Sequence, residues 1–319
     1  MNILNYGAGA VGLGIDSCLL KTGHKVDILA RPQTVSALQS NGLYRTGIFG
    51  DFHAPSNNFS CYTSLNQLPK KIYDFILVST KSYDSKKAAQ DLAHYPFLIN
   101  DKTKIILFQN GWGNAETFAS HFPQGQIFNA RVITGFIRPE PHKVEITVHA
   151  DSVHIGNLFS DDLKDIEGLC HAINQGGLPC ETTSEIGKDL WAKMLYNCPL
   201  NALSAILGVT YGELAEHEST KELMNEIIEE VFTILTACGY QTHWACAKEY
   251  IDVFYSKLIP STARHTSSTL QDLKAKKPTE IEALNGAVLA LARQYHKKAP
   301  ANENVYHMLK TLEDDKEVS

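Results

Sequence analysis

Short apolar runs alternate with amphipathic stretches in the first part of this chain. The runs lie at residues 3–6, 25–29, 73–80 and 104–108. The third run is apolar almost throughout, as in a strand that is covered on both faces. After the first run, Leu13, Ile15, Leu19 and Leu20 form one apolar helical face. Strands alternating with helices predict an α/β fold with a mainly parallel sheet.

The pattern changes beyond residue 125, where shorter alternating segments predict additional strands. Residues 143–149 and 152–155 alternate apolar and polar positions and predict a hairpin. Residues 162–174 predict a helix, and 178–184 a short closing strand followed by a linker. We therefore expect a domain boundary near Thr183. The glycine- and serine-rich region before residue 70 contains strand-like pieces without a definite assignment.

The second half has helical periodicity, clearest in the apolar positions of residues 222–235. A helix beginning near Ser184 carries Lys193, Asn197 and Asn201 at positions i, i+4 and i+8, on one face. One interpretation is a solvent-exposed polar stripe. Because the rest of this helix has few charges, we favour a polar row that lines a cleft. Pro199 lies in the same helix and is expected to bend it.

The turn after the first strand has glycines at the GxGxxG spacing. It comprises Gly7, Ala8, Gly9, Ala10, Val11 and Gly12. The first glycine permits a tight turn, the second lets backbone amides approach a pyrophosphate, and the third lets the helix pack against the strand. The unpaired N–H groups at the helix start also attract anions. A purely structural glycine turn is the alternative, but the position between strand and helix favours a dinucleotide site.

Arg31 follows the second strand, at the position where NAD-binding folds usually carry an acid that accepts hydrogen bonds from the ribose. A guanidinium there is suited to bidentate binding of a 2′-phosphate. The alternative is a solvated loop arginine. Arg31 therefore favours NADP over NAD.

Two further strands end in residues that are candidates for ligand binding. Lys81 follows the third run, and Asn110 lies in the segment QNGWGN at 109–114 after the fourth. Ligands of open α/β sheets bind outside the carboxyl ends of the strands. A surface lysine and a structural glycine turn are the respective alternatives.

Composition limits the function classes. The chain has 319 residues, a formal net charge of -6 and no basic run, which argues against nucleic acid or an anionic membrane surface as a partner. No apolar stretch approaches the ~20 residues that span a bilayer. Seven scattered cysteines without a CxxC pair suggest a reduced, cytoplasmic protein. The histidines lack metal-binding spacing, so we expect no metal.

Five blocks together resemble the ketopantoate reductase (2-dehydropantoate 2-reductase) family, in the same order along nearly the whole chain. They are GAGAVG at 7–12, Lys81 after a strand, QNGWGN at 109–114, LWAKMLYNCPLN at 190–201 and SSTLQDLKAKKPTEIEALNG at 267–286. The resemblance implies an α/β Rossmann-type domain over residues 1–183. It also implies an all-α domain over 184–319, of the 6-phosphogluconate dehydrogenase C-terminal-like class, with the active site in the cleft between the two domains.

The resemblance further implies NADPH-dependent reduction of 2-dehydropantoate to pantoate, on the route to pantothenate and coenzyme A. By that resemblance Lys193 is the general acid, and Glu280 lies close enough to influence it. The positions that match substrate-binding residues are Asn110, Asn197, Asn201 and Ser268. Lys81, Asn110 and Glu280 match cofactor-contacting positions. Ser268 and Glu280 also read as helix caps, which is a structural alternative for each.

Two departures from the family pattern bear on the substrate. Family members commonly carry asparagine three residues before the active serine, where this chain has His265. Pro199 interrupts the helix that carries the polar row. The alternatives are therefore a reductase of another 2-keto acid on the same scaffold, and a non-catalytic NADP-binding sensor. The partner we expect is a small 2-keto acid, and a homodimer is an open alternative to a monomer.

Overall fold

The computed structural model describes residues 1–315. The chain divides into two compact units. The first, called the nucleotide unit below, comprises residues 1–109 and 114–186; the second, the helical unit, comprises 110–113 and the described residues from 187 onward. Each unit is described by itself.

The nucleotide unit contains twelve strands within the described residues. They are β1 (Asn2–Tyr6), β2 (Lys25–Leu29), β3 (Leu43–Gly47), β4 (Phe52–Ala54), β5 (Ser60–Tyr62), β6 (Phe75–Val78), β7 (Lys104–Leu107), β8 (Ile127–Arg131), β9 (Thr134–Glu140), β10 (Lys143–His149), β11 (Val153–Gly156) and β12 (Cys180–Thr182). Its helices are α1 (Ala10–Lys21), α2 (Pro32–Asn41), α3 (Ser85–Ala93), α4 (Asn114–Ala119) and α5 (Lys164–Gln175).

The main sheet has the strand order β12-β11-β8-β7-β6-β1-β2-β5. All neighbouring pairs are parallel except β8 with β11. Every residue of β6 is buried, as expected for a strand covered on both faces. In the register, Tyr6 of β1 pairs with Leu29 of β2 and Val78 of β6. The glycine turn and the loops after β2 and β6 therefore lie at one edge of the sheet, where open α/β sheets bind ligands.

A second sheet, with the order β4-β3-β10-β9, corrects the predicted hairpin. β10 pairs with β9 and β3, whereas β11 pairs with β8 and β12 in the main sheet. The prediction of a hairpin between residues 143–149 and 152–155 is therefore wrong. The alternation identified both strands correctly. Alternation does not show which strands pair with each other. Val153 and Ile155 of β11 are buried in the core of the main sheet, and β11 pairs with β8 and β12 there.

The helical unit consists of helices joined by short turns. They are α6 (Ile186–Leu207), α7 (Tyr211–Leu214), α8 (Glu218–Ala237), α9 (Ala247–Val253), α10 (Ile259–Ser261), α11 (Ser268–Lys274), α12 (Asn285–Gln294) and α13 (Pro300–Asp314), with one π turn at Phe254–Leu258. α6, whose first residue belongs to the nucleotide unit, continues through the buried Pro199. No helix within residues 1–315 is long and apolar enough to cross a membrane. The two units confirm the predicted fold class, a Rossmann-type α/β region followed by a helical region.

Candidate active site

The glycine turn is built so that side chains are absent where backbone must come close. Gly7 has φ +120°, a conformation that favours glycine. A Cβ atom on Gly12 would lie 2.3 Å from Ser79 Oγ and 2.6 Å from the carbonyl oxygen of Gly7. No side chain caps α1 at Gly9, and the first closing hydrogen bond runs from Leu13 N–H to Gly9 O. The amides before Leu13 therefore remain suited to a phosphate.

Hydrogen bonds among Asn5, Asp16 and Ser79 support the glycine turn, and they were not predicted from the sequence. Ser79 Oγ lies 2.6 Å from Gly7 O and 2.8 Å from Asn5 Oδ1, and Asn5 Nδ2 donates to Asp16 Oδ2 at 2.7 Å. Desolvation raises the pKa of the fully buried Asp16 to about 8, although the Asn5 bond lowers it in part. At neutral pH this carboxyl group is therefore mostly protonated. The only sequence signal for these hydrogen bonds is that polar residues occupy positions of a strand and a helix that are otherwise apolar.

The predicted 2′-phosphate residue lies directly beside the glycine turn. Gly7 N–H donates to Leu29 O at the end of β2, two residues before Arg31. Arg31 is exposed and occupies the N-cap position of α2, whose first turn has no side-chain cap. A negatively charged group near this helix start would be favoured by the positive end of the helix dipole as well as by the guanidinium.

Lys81 lies at the same edge, after β6. It is partly buried and occupies the N-cap position of the short helical turn Ser82–Asp84. Gln109, which follows β7, donates from Nε2 to the carbonyl oxygen of Lys81 at 3.1 Å. The structure therefore places Lys81 on the ligand-binding edge of the sheet; its contact with a cofactor stays a prediction.

Three predicted site residues meet within the helical unit. Lys193 Nζ donates to Asn110 Oδ1 at 2.6 Å, and Asn110 Nδ2 donates to Glu280 Oε2 at 3.1 Å. The ammonium only donates and the carboxylate only accepts, so together they determine which way the amide of Asn110 points. Glu280 is buried. We call these residues the Lys193 cluster. Their predicted roles stay predictions, but the structure brings all three together.

Trp112 attaches the segment 110–113 to the helical unit. Its backbone N–H donates to Ala283 O at 2.9 Å, and its ring centroid lies 4.8 Å from those of both Trp191 and Tyr240. Gly111 has φ +87°, and a Cβ atom there would lie 2.3 Å from Ala283 O. These contacts hold Asn110 beside Lys193. The sequence shows the tryptophan and the glycine, but not their long-range partners.

Asn197 and Asn201 continue the polar row along α6. Both are buried, with 8% and 6% of their surface exposed. Tyr211 donates from its hydroxyl to Asn201 Oδ1 at 2.6 Å. The Asn197 side chain has no hydrogen-bond partner within residues 1–315. Its polar atoms are not among the fully buried side-chain atoms that lack a partner, so solvent reaches the amide and a polar ligand can replace that solvent.

Ser268 is not the N-cap of α11, which was the structural alternative for this residue. Ser267 is the N-cap of α11, and its Oγ accepts a hydrogen bond from Leu270 N–H at 2.9 Å. Ser268 begins the helix, and its hydroxyl has no partner in the described part of the chain. Two adjacent serines made the cap ambiguous in sequence, and the backbone geometry assigns it. Ser268 is therefore a candidate for a ligand hydrogen bond.

The residues described include no group of three histidine, cysteine or acidic side chains arranged to hold a metal ion. An uncapped glycine turn at a helix start is suited to anion binding, and a lysine beside an amide and a carboxylate is suited to proton transfer. A glycine turn on a doubly wound sheet, with a helical unit that carries a lysine among amides and a carboxylate, is typical of oxidoreductases with a Rossmann-type nucleotide domain.

Comparisons with known proteins define the family. A model described as "Ketopantoate reductase PanE/ApbA" matches residues 3–159, and one described as "Ketopantoate reductase PanE/ApbA C terminal" matches residues 185–313. A 2-dehydropantoate 2-reductase of Aquifex aeolicus is 36% identical over 314 residues, covering 98% of this chain and 97% of that protein. The chain therefore belongs to the ketopantoate reductase family.

Solved structures agree with this assignment. A PanE/ApbA family ketopantoate reductase from Ralstonia eutropha JMP134 has a TM-score of 0.86 and 28% identity, covering 99% of this chain and 100% of that one. A D-mandelate dehydrogenase, solved with NADH and anilino(oxo)acetate, has a TM-score of 0.88 at 22% identity, with both chains covered completely. The second similarity shows the fold alone.

Proposed function

We propose that this protein reduces 2-dehydropantoate to (R)-pantoate with NADPH. The observation that carries the proposal is the Lys193 cluster, which places an ammonium group against an amide and a buried carboxylate. The names of the relatives supply the keto acid, since proteins of Aquifex aeolicus, Pyrococcus horikoshii and Salmonella typhi that are similar to this chain are each named 2-dehydropantoate 2-reductase. The proposal includes a place in pantothenate and coenzyme A synthesis, in the cytoplasm.

The glycine turn fits the cofactor. A side chain at Gly12 would collide with the turn itself, and the uncapped start of α1 presents amides to the pyrophosphate. Arg31 would bind the 2′-phosphate, and Lys81 would contact the cofactor at the same sheet edge. When bound, the reduced nicotinamide supplies the hydride.

Lys193 would act on the keto oxygen of the substrate. Negative charge develops on this oxygen as the carbonyl carbon is reduced, and a neighbouring ammonium stabilises that charge and then donates a proton. Asn110 accepts one of the hydrogen bonds of the ammonium and thereby aims it. Glu280 holds Asn110 from the other side by accepting a hydrogen bond from Asn110 Nδ2.

Asn197, Asn201 and Ser268 would bind the keto acid. The Asn197 amide and the Ser268 hydroxyl lack partners among residues 1–315, whereas Tyr211 holds Asn201 in place. These groups orient a substrate without adding charge, and orientation within a fraction of an ångström contributes directly to rate.

A second candidate is the reduction of a different 2-keto acid, and His265 is the observation that favours it. The His265 ring centroid lies 5.3 Å from that of Tyr211, which holds Asn201. Desolvation lowers the pKa of His265 and so disfavours a positive charge on this ring. A bulky ring where relatives commonly carry asparagine would change the shape of the pocket.

Both candidates are tested by NADPH oxidation with 2-dehydropantoate and a panel of branched and aromatic 2-keto acids. We expect the highest kcat/KM with 2-dehydropantoate. A higher value with another acid would replace the substrate while leaving the reductase class. Tight NADPH binding without turnover of any acid would favour the non-catalytic sensor.

A further inference from the structure

Arg138 is an arginine of the nucleotide unit to which no role has been given. It lies on β9 of the second sheet, two positions after Phe136. Phe136 packs against Gly14 of α1, where a Cβ atom would lie 2.4 Å from the ring. The missing side chain at Gly14 thus lets β9 approach α1 closely. Arg138 reaches the glycine turn as a result.

The contacts of Arg138 are with the residues that surround the predicted 2′-phosphate position. Its Nη1 donates to the carbonyl oxygen of Ala8 at 2.7 Å and lies 3.4 Å from Thr34 Oγ1. Ala8 belongs to the glycine turn. Thr34 lies in the first turn of α2, and its backbone N–H donates to Arg31 O at 2.9 Å. Arg138 therefore links the glycine turn to the helix that begins beside Arg31.

Arg31 is the N-cap of α2, and Arg138 contacts Thr34 in the first turn of that helix. Neither Arg31 nor Arg138 forms an ion pair with any residue from 1 to 315. Desolvation, followed by the positive charge of Arg31, lowers the pKa of Arg138. Both Arg138 contacts use Nη1, so Nε and Nη2 have no partner in the described chain. Two neighbouring cations with unused donors at the uncapped start of a helix are suited to a dianionic phosphate.

We propose that Arg138 and Arg31 together bind the 2′-phosphate of NADPH, with Arg138 as the second guanidinium of a two-arginine clamp. The proposal rests on the proposed use of NADPH. It assigns to β9, an element outside the main sheet, a part in distinguishing NADPH from NADH. The hydrogen bond from Nη1 to Ala8 O positions the guanidinium, and its Nε and Nη2 groups donate to the phosphate.

The test is direct binding, which requires no turnover. The dissociation constants of 2′,5′-ADP, 5′-ADP, NADPH and NADH are measured by calorimetry for wild type, Arg31→Ala, Arg138→Ala and Arg138→Lys. Lys143→Ala is the matched control, since Lys143 lies on the neighbouring strand β10 and pairs with Glu140. We expect Arg138→Ala to weaken 2′,5′-ADP and NADPH by about 10-fold or more, on the scale of a charge-assisted hydrogen bond, and 5′-ADP and NADH by less than about 2-fold.

Each of the other outcomes overturns the proposal. An equal loss for NADPH and NADH would mean that Arg138 supports the turn or the pyrophosphate. No loss for either would mean that Arg31 acts alone. If the wild type binds 2′,5′-ADP no better than 5′-ADP, both the two-arginine clamp and the preference for NADPH are wrong. Failure of the reductase proposal differs from all of these, because the fragments would still bind selectively while no keto acid was reduced.

Discussion

The glycine turn and the Lys193 cluster are made by opposite means. The turn uses backbone amides from one stretch, residues 7–12, and depends on the absence of side chains, as the contacts of a Cβ atom on Gly12 show. The cluster uses side chains from three distant positions, Asn110, Lys193 and Glu280, and depends on their charges and hydrogen bonds.

This difference determines how each region fails. Adding one methyl group at Gly12 would distort the turn, because the added atom would lie 2.6 Å from Gly7 O. In the Lys193 cluster, removing the ammonium group would remove the proposed proton donor while the surrounding helices keep their packing. Substitutions of the two kinds should therefore separate cofactor binding from turnover.

The largest effect is expected for Lys193→Ala. Loss of a general acid lowers turnover by about 100-fold or more, whereas NADPH affinity should change by less than about 2-fold. Steady-state kcat with 2-dehydropantoate and NADPH titration measure the two quantities. Lys248→Ala is the control, because Lys248 is an exposed lysine paired with Asp252. Equal losses of turnover and of NADPH binding would contradict the role of Lys193 in proton transfer.

Gly12→Ala should show the reverse separation. Its Cβ atom would lie 2.6 Å from Gly7 O, so the turn or α1 must shift, at a cost of about 1–3 kcal/mol. We expect NADPH affinity to fall by at least about 10-fold along with a lower melting temperature. Gly168→Ala is the matched control, since it also lies in a helix, with nothing within 4 Å of an added Cβ atom, and should be neutral or slightly stabilising. Unchanged NADPH binding in Gly12→Ala would show that the turn does not hold the cofactor.

Asp16 tests the support beneath the turn. Its pKa is about 8 in the folded protein and 3.8 in the unfolded chain, so the folded state binds the extra proton between these values. Stability from this group is therefore present at low pH and is lost as pH rises towards 8. Asp16→Asn removes the titration. We expect its free energy of unfolding, relative to wild type, to rise by about 1.4 kcal/mol between pH 6 and pH 7.

Urea unfolding at the two pH values measures this change. Asp51→Asn is the control, because Asp51 is an exposed aspartate in the same unit. A constant difference between Asp16→Asn and wild type across this range would mean that the buried carboxyl group is ionised throughout.

The two regions also differ in how far sequence could predict them. The glycine spacing after an apolar run identified the turn, because every residue involved lies within one local pattern. The row formed by Lys193, Asn197 and Asn201 was likewise visible as helical spacing. The partners of these residues were not visible by any local pattern, since Asn110 and Glu280 lie 83 and 87 positions away from Lys193. Only the family resemblance suggested that they belong together.

Local patterns carry no information on long-range partners, and this also explains the wrong prediction of the hairpin. Alternation revealed β10 and β11 as strands. Two consecutive strands form a hairpin only when both lie in the same sheet, and these two lie in different sheets. Burial of Val153 and Ile155 in the main core decides against that pairing. The adjacent serines at 267 and 268 show the limit at single-residue scale, because either could cap α11 until the backbone conformation is known.

The smallest effect is expected for Tyr211→Phe, which removes no charge and weakens only the hold on Asn201, a residue of the same helix as Lys193. Burial raises the pKa of Tyr211, so its hydroxyl is a donor at all working pH values, and it holds Asn201 Oδ1 at 2.6 Å. Losing one such bond costs about 0.5–1.5 kcal/mol. We therefore expect KM for the keto acid to rise by about 3- to 10-fold, with kcat and NADPH affinity nearly unchanged. Tyr196→Phe is the control, because its hydroxyl bonds Thr262 instead. If both variants raise KM equally, ring packing rather than the Asn201 bond positions the substrate.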